Sequence, residues 1–120
     1  MMNPDAPSRE QAVVCRRFGA TACPVGAEDL IGLGPTSKQT QWPVNGLRHA
    51  PEGGTSGWYI WWGEIDPAKQ SAQFFTPVHA SHISELFPPV VPYLALPPGW
   101  RFLIAPGIED AWYDADLLDV

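Results

Sequence analysis

The chain has 120 residues, 45% of them hydrophobic, and a formal net charge of −6 at pH 7. That length fits one domain, which buries roughly two thirds of its unfolded surface and so needs no metal or disulfide to fold. No apolar run approaches the ~20 residues of a membrane span, and the acidic balance argues against nucleic acid, whose binders neutralise phosphates with Lys and Arg.

The charge is unevenly placed. Residues 1–60 carry five acids and five bases, whereas residues 61–120 carry eight acids and two bases. Such a half is compatible with a basic protein partner and also with ordinary solubility. Cys15 and Cys23 make no disulfide framework or C-x-x-C pair, and they read as small buried hydrophobes. The N-terminal stretch lacks the basic and apolar regions of a signal peptide, so a cytoplasmic location is expected. Fourteen prolines and eleven glycines imply that much of the chain is loop and turn.

In chain order, residues 1–8 are polar and read as a loose end. Ser8 followed by Gln11 has capping-box spacing, and Ala12, Val13, Cys15 and Phe18 suit an amphipathic helix ending at Gly19. Asp29 to Gly34 suggests a short strand weakened by its glycines. Residues 35–57 read as mostly loop, with a tight turn expected at Asn45-Gly46.

Gly57-Trp58-Tyr59-Ile60-Trp61-Trp62-Gly63 is the strongest strand signal. Its interior is aromatic and β-branched, and glycines bound it. Period two puts Trp58, Ile60 and Trp62 on one face and Tyr59 and Trp61 on the other, so both faces are apolar and the strand suits the middle of a sheet. The alternative is an exposed Tyr59/Trp61 platform for a partner. A polar stretch then runs to Ala72. Phe74 to His79 reads as an edge segment because Pro77 cannot donate to a ladder. Ser81 to Phe87 reads as a short helix with Ile83, Leu86 and Phe87 on one face, stopped by Pro88-Pro89, and Val90 to Leu96 suits one more turn. Trp100 to Ala105 is a second clear strand, joined by Pro106-Gly107 to a third at Glu109 to Asp114, which implies a hairpin. The expectation is an α+β single domain over residues 1–120: a twisted antiparallel sheet of aromatic-rich strands flanked by short helices.

Three ordered segments carry a family resemblance. They are Gly46-Leu47-Arg48-His49 with Pro51 through Trp61; Phe74-Phe75 to His79 and His82; and Pro92-Tyr93-Leu94 through Leu96-Pro97-Pro98-Gly99-Trp100-Arg101-Phe102-Leu103 to Glu109-Asp110-Ala111-Trp112. Together they resemble the bacterial polymorphic-toxin immunity proteins of family thirty-three and its relatives, over roughly residues 46–118. The resemblance implies a small cytoplasmic protein that binds and blocks a cognate toxin, with no catalytic residues and no cofactor.

The residues themselves offer little chemistry. His79, His82 and Glu85 at i, i+3, i+6 could approach one face of a helix as metal ligands do, but His79 falls before the helix, so capping or surface roles are preferred and no metal is expected. Pro51 to Gly57 is Gly-rich but lacks the Gly-Lys-Ser/Thr ending of a P-loop and leads into a strand. Cys15, Ser56, His49 and Asp66 show no spacing that would assemble a nucleophile with its base, so no enzyme is expected. Glu109, Asp110, Asp114, Asp116 and Asp119 form the densest acidic run. They read either as solvated charges or as an edge that steers a basic toxin face. Trp112 and Tyr113 within that run are candidate anchors, and Arg48, His49 and Glu52 before the aromatic strand are candidate contacts. A small-ligand or sensor domain with an aromatic-lined pocket is the alternative function.

Overall fold

The computed structural model describes residues 7–35, 41–64 and 74–119. The expected loose end before residue 7, part of the 35–57 loop, and the polar stretch after Glu64 lie outside the described residues. Helix α1 (Arg9–Phe18) starts as its sequence dictates: Ser8 Oγ accepts from the Gln11 amide, and Gln11 Oε1 accepts from the Ser8 amide. It ends at Gly19 in the left-handed region. The buried face is carried by Val14 and Cys15, while Val13, expected inside, is exposed.

The strands are β1 (Leu30–Leu33), β2 (Val44–Arg48), β3 (Thr55–Trp62), β4 (Thr76–His79), β5 (Trp100–Ala105) and β6 (Ile108–Tyr113). They form one sheet in the order β4-β1-β3-β2-β5-β6. Every neighbouring pair is antiparallel except β1 and β3, which are parallel, so the expected antiparallel sheet is mixed at one position. The aromatic strand β3 is interior, with β1 on one side and β2 on the other, and β4 lies at an edge, in keeping with Pro77.

One face of the sheet is covered by α1, by α2 (Ala80–Leu86) and by a 3-10 helix at Pro88–Tyr93. Pro88 and Pro89 begin this 3-10 helix; proline at a helix start sacrifices an amide that would be unpaired anyway. Against these elements Trp58, Ile60 and Trp62 are almost completely buried, together with Ile31, Val44, Phe102 and Ile104. Trp58 carries its polar handle into the core and donates Nε1–H to the Leu94 carbonyl at 2.9 Å, the usual arrangement for a buried indole. Phe102 tilts against Trp58 and stacks on Tyr93, with centroids 5.4 and 5.0 Å away.

The other face carries a smaller cluster of Leu47, Trp61 and Leu117, with Tyr59, Phe74 and Phe75 packed against it. The exposed-platform alternative is therefore overturned: Trp61 is 2% exposed because Phe75 and the C-terminal 3-10 helix (Ala115–Leu118) close over that part of the sheet. The long-loop expectation is corrected too. Val44 to Arg48 is a strand, and Asn45-Gly46 lies inside it rather than at a turn. Gly46 is there because the Phe102 ring lies on it; a Cβ would sit 2.1 Å from that ring.

Candidate functional site

The β5–β6 hairpin positions most of the candidate residues. Ala105 faces Ile108 across Pro106-Gly107, and Trp100 faces Tyr113 at the other end. Gly107 adopts φ +74°, which with proline before it suits a tight turn. Alternation then divides β6 between two faces. Glu109, Ala111 and Tyr113 share the helix-covered side, where Ala111 joins the main core. Ile108, Asp110 and Trp112 turn to the opposite side, beyond the reach of the smaller cluster.

Glu109 stays exposed but is engaged by partners within the chain. It accepts from the Tyr93 hydroxyl with one oxygen and from Arg17 with the other. The hydrogen bond from Tyr93 holds its carboxyl below the ordinary range; partial burial opposes this and Arg17 reinforces it. Burial, and then the same carboxylate, push the Tyr93 phenol well above its ordinary value. Glu109 thus ties β6 to α1 and to the 3-10 helix above it, through an ion pair that solvent still reaches.

The remaining residues of the run are presented outward. Trp112 and Tyr113 are 38% and 53% exposed, and Asp110 and Asp116 are exposed. Arg101, directly across from Trp112, places its guanidinium 5.8 Å from the ring centroid. It also reaches Asp114 at 3.4 Å. Asp114 is half-buried and caps the C-terminal 3-10 helix by accepting from the Asp116 amide. Ile108, absent from the sequence-based candidates, is 56% exposed on the same face as Trp112. Its even spacing from Asp110 and Trp112 was the available signal.

The second group of candidates fares differently. Arg48 was expected at a partner surface, and it is 2% exposed. Its guanidinium donates to the carbonyls of Ser56, Cys23 and Leu96 at 2.7–2.8 Å and lies 5.7 Å from the Trp58 ring centroid. Burial pulls its pKa down, and the nearby Cys23 and Asp29 oppose the shift. Arg48 is an internal brace that saturates backbone acceptors where three segments meet. His49 is half-buried and pairs its Nδ1 with the Leu117 carbonyl at 2.9 Å, which fastens the C-terminal 3-10 helix to the sheet. Glu52 is exposed in a turn closed by Thr55. His49, Glu52, Thr55 and Tyr59 border a cleft of about 220 Å³. A larger cleft of about 400 Å³ lies between Val13 and Arg17 of α1 and Tyr93 and Glu109. No tryptophan lines either of these two clefts; Tyr59 borders the smaller one.

The His79 and His82 rings are 5.6 Å apart, and among the described residues no group of three or more His, Cys, Asp and Glu is arranged to hold a metal. Burial, and then Cys23, push the Cys15 thiol up, away from the thiolate that nucleophilic chemistry uses. Among the described residues no helix is long and apolar enough to cross a membrane.

No curated protein matches the chain, and no solved structure does. Residues 10–114 match the model of the Imm33-like domain, a span that takes in α1 from its second residue, all six strands and the Arg48 brace. The chain belongs to the Imm33-like domain family, a family of immunity proteins.

Proposed function

We propose that this protein neutralises a cognate bacterial toxin by stoichiometric binding in the cytoplasm, without catalysis, and that β6 with its flanks is the contact surface. The family assignment supports neutralisation. The observation that carries the surface is the pair of exposed rings, Trp112 and Tyr113, beside Asp110 and Asp116 on the last strand of the sheet and its C-terminal flank. Large apolar rings desolvate and anchor a partner, and fixed negative charge speeds its approach and selects for basic character. Asp114 supports the surface by ordering Arg101 over Trp112, and Glu52 with the rim of the His49 cleft lies towards the C-terminal 3-10 helix. Arg48 from inside and Glu109 at the surface hold the sheet and β6 in place.

The test is capture of the partner from the source cell, followed by expression of the captured protein in a sensitive host. The expected result is growth arrest that co-expression of this chain relieves in proportion to its dose, with an equimolar complex on purification. A captured set with no member whose toxicity this chain relieves would overturn the proposal.

A further inference from the structure

Strand β6 ends the sheet, and among the described residues no strand pairs with its outer edge. In an antiparallel ladder every second residue turns its backbone N–H and C=O to the neighbouring strand, and the residue between turns them away. The Asp114 amide donates to the Gly99 carbonyl at 2.6 Å, one step beyond the Trp100–Tyr113 pair, and this sets the phase. Ile108, Asp110 and Trp112 therefore bond to β5, while Glu109, Ala111 and Tyr113 aim their backbone groups outward. A second contact marks the same phase: the Ala111 amide donates to the Asp110 carboxylate at 2.9 Å, where an amide turned into the ladder would be engaged by β5.

We infer that this edge accepts an extended, basic segment of the toxin as an additional strand, with Asp110 as its guard; the inference rests on the neutralisation reading above. Edge strands are templates for pairing, and proteins blunt them with charge against stray partners. Here the Asp110 carboxylate covers the central outward amide of the free protein. A Lys or Arg on an incoming strand draws that carboxylate aside and leaves the Ala111 amide to the incoming carbonyl. Trp112 and Tyr113, on opposite faces of β6, then pack against alternate side chains of the added strand. A second copy of this chain is a poor occupant. Antiparallel self-pairing centred on Asp110 would set that carboxylate against its own equivalent, and in any register it would bring together two acidic edges with no Lys or Arg among residues 102–120; like charges across a strand pair repel.

The probe is an acetylated and amidated peptide alternating Lys and Val, as long as β6, titrated into the nitrogen-15-labelled protein. Amide shifts should be largest at Glu109, Ala111 and Tyr113 and smaller at Asp110 and Trp112. A peptide with Glu in place of Lys should give no response at the same concentration. A Lys–Val peptide methylated on every backbone nitrogen keeps the charge but lacks strand donors, and it should bind about tenfold more weakly or worse. Asp110→Asn, which retains an acceptor for the Ala111 amide and loses the charge, should weaken the Lys peptide while preserving the alternating pattern. No shift at all, shifts without alternation, or equal binding of the methylated peptide would each overturn strand addition. If the captured toxin is neutralised in the growth assay and the peptide gives no alternating response, strand addition falls and neutralisation stands. If the response alternates and no captured toxin is neutralised, the edge accepts a basic strand and neutralisation falls.

Discussion

Strands β3 and β6 are both rich in aromatic residues, and they meet opposite fates. Along β3 the tryptophans are buried on both faces, whereas β6 buries only Ala111 and exposes Trp112 and Tyr113. The difference comes from the neighbours. β3 has a strand on each side and side chains over each face, whereas among the described residues β6 pairs with β5 alone, and on its Trp112 side the covering cluster stops short. The same residue type is therefore core in one strand and a candidate anchor in the other, and the comparison can be broken by substitution.

The largest expected effect is at the centre. Trp58→Ala should cost about 3–5 kcal/mol, because it leaves a cavity and strips the Leu94 carbonyl of its donor. Trp112→Ala should cost less than ~1 kcal/mol of stability, as exposed substitutions do, and should instead speed dissociation of the toxin. Denaturant unfolding of the two variants side by side measures the contrast, and equal losses would break it. Arg48→Leu should cost at least ~3 kcal/mol, since buried carbonyls left unpaired cost ~1–3 kcal/mol each. Arg48→Lys should not rescue it, because a point ammonium cannot reproduce the planar fork. Gly46→Ala should lose about 1–3 kcal/mol by forcing the Phe102 ring aside.

Smaller effects sharpen the view of β6. Reversing Asp110 and Asp116 to Lys together should slow toxin association about tenfold at low salt. The loss should shrink as ionic strength rises. Asp114 is left out of that pair because it caps the C-terminal 3-10 helix. If association is unchanged at low salt, the acids are a solubilising surface. The smallest effect is on pH dependence. Glu109 titrates lower in the folded state than in the unfolded chain, so its contribution is present above the ordinary glutamate range and is lost as pH falls through it. Tyr93 titrates higher when folded, so its contribution is present below about pH 10 and fades above that. Melting temperatures across pH should show Glu109→Gln flattening the acid limb and Tyr93→Phe the alkaline one.

Much of this was legible in the residues alone. The Ser8–Gln11 box and Gly19 determined α1, because caps act within one turn of helix. The glycine-bounded aromatic run determined β3, Pro106-Gly107 determined the hairpin, and Pro77 placed β4 at an edge. These signals are local, and local chemistry is enough to produce them. What the sequence could not decide depended on distant partners. Asn45-Gly46 has the composition of a turn, yet Phe102, far along the chain, needs the space above Gly46 and makes it the middle of a strand. Arg48 has the composition of a surface contact, yet the carbonyls of Cys23, Ser56 and Leu96 converge on it only after folding. Glu109 belongs by sequence to the acidic run, yet Arg17 and Tyr93, brought to it only by folding, pair with its carboxylate. A side chain's type and spacing determine which element it enters. Whether it then faces a partner or the core depends on which strand and helix fold over it, and that is a property of the whole packed sheet.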